Sequence, residues 1–178
     1  MALTIILIVV AIIIILPLVT ALFIKKNYAV QREITINKPK MKVFDYIRYL
    51  KNQDNFSKWA KMDPNMKKSY SGTDGTIGFI SAWDSNDKNV GKGEQEIKKI
   101  SDGARIDYEI RFIKPFRSTS FAYMTTDSET ENQTKVKWGF SGNMKYPMNL
   151  MLVFMNMEKM IGNDLVTGLT NLKNELER

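Results

Sequence analysis

The chain has 178 residues, of which 44% are hydrophobic, and its 26 lysines and arginines against 19 acidic residues give a formal net charge of +7. This length allows one domain with an appendage. The chain contains no histidine and no cysteine, which excludes imidazole and thiol catalysis, zinc sites built from those residues, and a cysteine-linked lipid anchor.

The first predicted element is a membrane span at residues 2–24, a run without a single charged residue. As a helix rising about 1.5 Å per residue, it crosses the ~30 Å hydrocarbon layer of a bilayer. A cleaved signal peptide is the alternative, but its apolar region is typically about 7–15 residues long and follows a cation, which is missing here. Six cations follow the run closely: Lys25, Lys26, Arg32, Lys38, Lys40 and Lys42. By the positive-inside rule, the sequence predicts a single-pass cell-membrane protein with residues 1–26 as the anchor and 27–178 as a cytoplasmic domain.

The excess positive charge has three possible explanations. Nucleic acid is disfavoured as a partner, because no helix-turn-helix, zinc-finger spacing or aromatic-basic motif is present and acids are scattered among the lysines. Attraction to anionic lipid headgroups is worth ~1 kcal/mol per cation next to a membrane. A merely solvated surface explains the charge equally well.

Behind the span, the pattern predicts a strand at residues 29–36, a helix from Pro39 to about Leu50, and a further helical turn at 53–61. Five or six antiparallel strands follow. In the clearest of them, at residues 105–112, four apolar residues alternate with four charged ones. One face of the sheet is therefore expected to be buried and the other to be exposed to solvent. The six strand ranges are 67–71, 76–83, 92–100, 105–112, 118–126 and 134–140.

The last predicted element is a long amphipathic helix at residues 146–178. Its second half carries a stripe of leucines at steps of four, three and four, which lie on one side of a helix. Its first half is apolar almost all round, and six of the eleven methionines lie between Met144 and Met160. Flexible thioether side chains suit either core filling or a surface that moulds to a variable apolar partner. Gly162 and Gly168 each cost of order 1 kcal/mol relative to alanine, which predicts close backbone approach or a gap at these positions. The leucine stripe is Leu165, Leu169, Leu172 and Leu176.

This order of elements fits an α+β helix-grip fold, in which a curved antiparallel sheet wraps around a long C-terminal helix. Four segments carry a family resemblance: REITINKPKMKVFDYI at 32–47, WAKMDPNMKKSYSGTDGTIGFISAW at 59–83, VGKGEQEI at 90–97, and WGFSGNMKYPMNLMLVFMNMEKMIGNDLVTGLTNLK at 138–173. They resemble the START-like, or helix-grip, superfamily of Bet v 1 allergens, polyketide cyclases and ubiquinone-binding proteins. The chain is most similar to bacterial SRPBCC or polyketide cyclase/dehydrase-like members with an N-terminal span. The resemblance implies the fold over nearly the whole soluble part but no particular reaction.

Proteins of this superfamily typically hold an apolar cavity between the sheet and the helix. The resemblance and the strand alternation together predict an inward-facing set of ligand-binding residues, although each aromatic also suits plain core packing. The acid pairs Glu94 and Glu96, and Asp107 and Glu109, are expected to face outward. The predicted apolar set is Trp59, Phe79, Trp83, Phe112, Trp138, Phe140, Met151 and Met155, and the predicted polar set is Ser81, Gln95 and Tyr108.

Three functions remain open from the sequence. The leading hypothesis is a membrane-tethered module, monomeric in its soluble part, that binds a hydrophobic small molecule such as a lipid, a quinone or a polyketide-like compound. The second is a cyclase- or dehydratase-type enzyme in which Tyr108 or a buried carboxylate moves protons, a role in which the missing histidine is unfavourable. The third is a stress-related interaction scaffold without a ligand. No cofactor and no metal are expected.

Overall fold

A curved antiparallel sheet of seven strands carries the fold, and the computed structural model describes all of residues 1–178. The helices are α1 (Ala2–Phe23), α2 (Lys40–Arg48), α3 (Gln53–Phe56), α4 (Lys58–Met62), α5 (Met151–Phe154) and α6 (Met157–Glu177). The strands are β1 (Asn27–Ile36), β2 (Lys67–Ser71), β3 (Ile80–Asp84), β4 (Lys92–Ser101), β5 (Arg105–Lys114), β6 (Ser118–Thr130) and β7 (Gln133–Asn143). Their order across the sheet is β1-β7-β6-β5-β4-β3-β2, and every pair is antiparallel. The predicted helix-grip fold is confirmed.

The long helix α6 packs on the inner face of the sheet against β1 and β7. The predicted leucine stripe drives this packing, since Leu165, Leu169 and Leu172 are fully buried in the core. Gly168 permits the close approach, because a Cβ atom at this position would lie 2.6 Å from Cζ3 of Trp138. At Gly162 the guanidinium group of Arg32 occupies the space that a Cβ atom would need. Both glycines therefore mark close contacts, as the sequence predicted.

The end of the sheet farthest from α1 is filled by α2. Val43, Phe44 and Ile47 form the apolar face of α2 and are all buried. They belong to one core cluster with the inward residues of the central strands, among them Ile106 and Met124. Burial of such side chains is worth about 1.5–3 kcal/mol each, so the apolar face of α2 contributes substantially to stability.

At the other end of the molecule, α1 is joined to the domain by backbone and side-chain hydrogen bonds. Asn149 donates through Nδ2 to the carbonyl oxygens of Ala21, at 2.7 Å, and Ile24, at 3.0 Å. The backbone N–H of Met144 donates to the carbonyl oxygen of Lys26 at 2.8 Å. The 22 residues of α1 are long and apolar enough to cross a membrane, and a signal sequence near an N-terminus has the same properties.

The predicted single helix at residues 146–178 is wrong in its first third. The chain forms a 3-10 turn at Met148–Leu150, then α5, and leaves the helical conformation at Met155 before α6 begins. Asn156 explains the break, since its side chain accepts a hydrogen bond from the backbone N–H of Lys159 at 2.8 Å. Asparagine is among the strongest N-cap residues, and here the local cap overrides the apolar pattern.

The predicted strand at residues 76–83 begins only at Ile80. Three glycines precede it with positive φ angles of 86° at Gly72, 77° at Gly75 and 87° at Gly78. This backbone region is easily adopted only by glycine and belongs to turns. The segment therefore forms turns instead of extending the strand.

Candidate ligand-binding cavity

A cavity of about 320 Å³ lies between the sheet, α3, α4 and the start of α6. It occupies the end of the sheet nearest α1, which is the end opposite α2. Thirteen of its 22 lining residues are hydrophobic. Sites for small molecules are mostly apolar concave spaces of about 300–1,000 Å³, so this cavity is at the small end of that range.

The cavity exists because inward side chains on β6 become small toward the α1 end. Met124 is fully buried in the core, and the next inward positions are Ala122, Ser120 and Ser118, all of which line the cavity. Alternate residues of a strand share a face, so this series follows one line along the inner surface. The sheet therefore keeps its spacing while the space between sheet and helix stays empty.

Aromatic side chains form the apolar wall of the cavity. Trp59 meets Trp138 edge to face with ring centroids 6.0 Å apart, and Trp83 meets Phe112 in the same way at 6.0 Å. Both pairs have the geometry that aromatic quadrupoles favour. The indole of Trp83 lies so close over β4 that a Cβ atom at Gly93 would be 2.6 Å from its Cζ2. All three tryptophans of the chain line the cavity.

Several polar groups in the wall are free to bind a ligand. Ser81 and Gln95 are paired across β3 and β4, and neither side chain makes a hydrogen bond within the protein. Gln53 is 8% exposed, and its Nε2 atom is buried without a partner. An unpaired buried donor costs about 1–3 kcal/mol, so a ligand oxygen that accepts from it would recover part of that energy.

The lining contains one acidic and one basic side chain, and they bind each other. Lys68 donates to Asp54 at 2.8 Å, and the Tyr70 hydroxyl donates to the same carboxylate at 3.1 Å. Partial burial raises the pKa of Tyr70 to about 12, with the Asp54 charge as the second cause. The Asp54 carboxylate is thus held as an ion pair. No cluster of three or more metal-ligating side chains is present.

Seven of the eleven predicted site residues line the cavity. Phe79 and Tyr108 point inward, as expected, but are packed in the core away from it. Burial raises the pKa of Tyr108 far above its ordinary value, and the nearby Gln53 amide opposes this effect. The Tyr108 hydroxyl and the Gln53 amide are not joined by a hydrogen bond of normal geometry. Tyr108 lacks the contact with the cavity that its suggested role in proton transfer requires. The seven are Trp59, Ser81, Trp83, Gln95, Phe112, Trp138 and Phe140.

The other two, Met151 and Met155, lie outside the cavity. Met151 is exposed, and Met155 lines a separate surface groove between residues 24–28 and 152–158. They do not share one helical face, because the chain leaves the helix between α5 and α6 at Met155. The break at Asn156 thus redirects the methionine-rich segment away from the sheet.

Tyr28 is a lining residue that the sequence pattern missed, because the predicted strand began one residue later. Its ring stacks on Phe140 at a centroid distance of 6.3 Å. It lines both the cavity and the outer groove, so its side chain forms the wall between them. Extending the alternation of Val30, Ile34 and Ile36 by one step toward the N-terminus would have identified it.

The acid pairs on β4 and β5 lie on the outer face of the sheet, away from the cavity. Arg111 binds Glu94 at 2.6 Å and Glu96 at 2.7 Å, and it also contacts Glu109. The hydrogen bond from Arg111 holds the pKa of Glu96 below its usual value. These carboxylates support strand pairing and do not face the cavity.

A family model described as "Polyketide cyclase / dehydrase and lipid transport" matches residues 28–177. A search of curated proteins finds no match. Among solved structures, a protein from Thermobifida fusca is 15% identical with a TM-score of 0.59, covering 84% of this chain and 93% of that one. Ara h 8.0201 is 13% identical with a TM-score of 0.60, covering 85% and 98%. The Aha1 dimer structure from Colwellia psychrerythraea is 14% identical with a TM-score of 0.58, covering 84% and 96%. At these identities the structural matches concern the fold alone.

Proposed function

Because the chain belongs to the polyketide cyclase/dehydrase and lipid transport family, we propose that it is a membrane-tethered module that binds a small hydrophobic molecule in the cavity between its sheet and α6. Fold and family support hydrophobic ligand binding. The tether, the ligand class and the orientation are the parts that this proposal adds.

The position of the cavity is the observation that carries the proposal. The cavity occupies the end of the sheet from which α1 emerges, and Tyr28, in its wall, follows α1 by only a few residues. If α1 crosses the membrane, the cavity is held beside the lipid. A ligand dissolved in the bilayer then meets the protein at a high effective concentration.

The lining restricts the chemistry of the ligand. The apolar aromatic wall favours a ring or a hydrocarbon chain, while Ser81 and Gln95 offer hydrogen bonds to one or two oxygen atoms. The paired charges of Asp54 and Lys68 leave no net charge for an ionic ligand. A volume near 320 Å³ suits a quinone ring, a small polyketide-like compound or one end of a longer lipid. The single carboxylate in the wall is ion-paired, which supports binding over acid–base catalysis.

In this proposal α1 is a single span and residues 27–178 are cytoplasmic. Lys25 and Lys26 follow α1 directly, and Arg32, Lys38, Lys40 and Lys42 come soon after them in the chain. This distribution favours the orientation with the domain inside the cell.

Tryptophan fluorescence provides the test, because all three indoles line the cavity. The full chain in lipid nanodiscs is titrated with a short-chain quinone and, separately, with a spin-labelled fatty acid, both of which quench indole emission. We expect saturable quenching in the wild type and its loss in Ala122→Leu, which fills the cavity from β6. Equal quenching in both proteins would show that the probes act from the bilayer and not from the cavity. Native mass spectrometry of protein purified from cells gives an independent result. The absence of saturable quenching in the wild type, together with recovery of only ligand-free protein by mass spectrometry, would overturn the proposal.

A further inference from the structure

Residues Met148–Phe154, here called the α5 segment, expose a continuous apolar surface. Val153 and Phe154 are 61% and 81% exposed, and Met148 and Met151 are also exposed. A contiguous apolar surface of this kind on a folded domain generally marks an interaction site. Neither the sheet nor α6 covers it.

The α5 segment is fixed to the end of α1. Asn149 is fully buried, and its side chain donates to the carbonyl oxygens of Ala21 and Ile24. The last carbonyl groups of a helix have no partner within the helix. Asn149 supplies such partners, so the segment and the last turn of α1 form one unit.

This attachment sets the depth of the segment if α1 spans a bilayer. The 22 residues of α1 are about 33 Å long, compared with a hydrocarbon layer of ~30 Å. Ala21 lies about 4.5 Å along the helix axis before Ile24. The α5 segment is thus bound at the level at which α1 leaves the hydrocarbon, and amphipathic surface elements insert about 5–10 Å into this boundary.

The charges around the segment fit a lipid surface. Lys145 precedes it in the chain, Lys25 and Lys26 follow α1, to which the segment is bound, and all three are exposed. Cations next to a bilayer are attracted to anionic headgroups. These cations therefore favour a surface that contains anionic lipid as the partner of the α5 segment.

We propose that the α5 segment is a second membrane contact, which inserts Val153, Phe154 and the neighbouring methionines into the interface of a bilayer that contains anionic lipid. This inference rests on the proposed function in that α1 must span the membrane. The methionines suit such a surface, because their flexible side chains adapt to disordered lipid. Two contacts fix the orientation of the domain, where a span alone would leave it free to tilt. The groove lined by Tyr28 and Met155 then faces the lipid.

Spin labels test the insertion directly, since the native chain has no cysteine. Single-cysteine variants of the full chain are Phe154→Cys in the α5 segment, Ile12→Cys in the middle of α1, and Glu131→Cys in the turn at the opposite end. Each is labelled and placed in vesicles of phosphatidylcholine and phosphatidylglycerol, and its accessibility to oxygen and to a soluble nickel chelate is measured by power saturation. We expect the labels at 12 and 154 to favour oxygen and the label at 131 to favour the chelate.

The outcomes separate the inference from the proposed function. A label at 154 that favours the chelate, while the label at 12 favours oxygen, would overturn the docking surface and leave the anchor intact. A label at 12 that favours the chelate would overturn both. Met148→Cys provides an independent second position in the segment, and the tryptophan emission spectrum verifies that each variant is folded. Adding Asn149→Ala to Phe154→Cys should make the label more mobile and less exposed to oxygen, because the segment is released from α1.

Discussion

The two ends of the sheet are built from the same strands, yet one end is filled and the other is hollow. At the filled end, Met124 and Val136 are fully buried against α2. At the hollow end, Ala122, which lies two residues before Met124 on β6, begins the series of small side chains that leaves the cavity open. Strand alternation puts all these residues on one face, but only their volume and the reach of α2 decide between a core and a cavity.

The largest difference between the ends should appear on truncation. Met124→Ala removes a fully buried side chain at the filled end and should lower the free energy of unfolding by ~2–5 kcal/mol. Phe140→Ala at the hollow end should cost less than this, because the ring already borders an empty space and leaves less new cavity behind. Denaturant titration of the full chain in detergent micelles, followed by tryptophan emission, measures both. Equal costs would mean that the hollow end is closed in solution.

Enlarging a side chain should give the opposite result at the two ends. Val136→Phe overpacks the filled end and should destabilise the domain by ~1–3 kcal/mol. Ala122→Leu adds volume to the cavity and should change stability by less than ~1 kcal/mol while it abolishes ligand binding. Denaturation and the quenching titration are run on the same samples. A strongly destabilised Ala122→Leu would contradict an open cavity.

The two glycines of α6 provide a matched pair with a smaller effect. Gly168→Ala meets the ring of Trp138, which packs edge to face against Phe56 at 5.6 Å, and should cost about 1–2 kcal/mol after the gain in helix propensity. Gly162→Ala meets the end of the long Arg32 side chain, which can turn aside more easily than a packed indole, so its cost should be offset by the ~1 kcal/mol propensity gain. Thermal unfolding monitored by circular dichroism ranks the two variants. A Gly162→Ala protein as unstable as Gly168→Ala would show that the Arg32 contact with Glu158 is structurally important.

The smallest effect is expected where the two ends meet, at Tyr108. Its hydroxyl is buried without a hydrogen-bond partner, so Tyr108→Phe removes an unsatisfied group without changing shape. We expect an unchanged or slightly higher midpoint of denaturation, by less than ~1 kcal/mol, and unchanged ligand binding. A loss of binding in this variant would show that Tyr108 contacts the ligand after all.

Gln53→Leu is the companion variant. It should weaken the binding of a ligand with an oxygen acceptor while leaving the binding of a pure hydrocarbon unchanged.

Sequence alone predicted the parts of the structure that depend on local periodicity. The strand 105–112 and the leucine stripe of α6 are found as expected, and so is the close contact at Gly168. The distinction between Tyr108 and Phe112 was out of reach, because both face inward and only the neighbouring elements decide which one borders empty space. The position of Met151 could not be predicted for another reason. The apolar pattern continues across Asn156, and nothing in that pattern shows that the side chain of Asn156 caps a new helix there. Tertiary filling and local capping thus account for the differences.

The connection between α1 and β1 has a consequence for the reach of the domain. Only three residues separate Phe23 from Asn27, and three fully extended residues span at most about 10–11 Å. If α1 spans a membrane, as proposed, a domain joined to it by so short a connection cannot cross the aqueous gap to a second membrane, as a carrier on a long flexible arm can. In that arrangement a membrane-bound donor or acceptor of the ligand must approach in the plane of the same membrane, so exchange with it is a two-dimensional search whose rate depends on lateral diffusion and on the density of partners in that membrane.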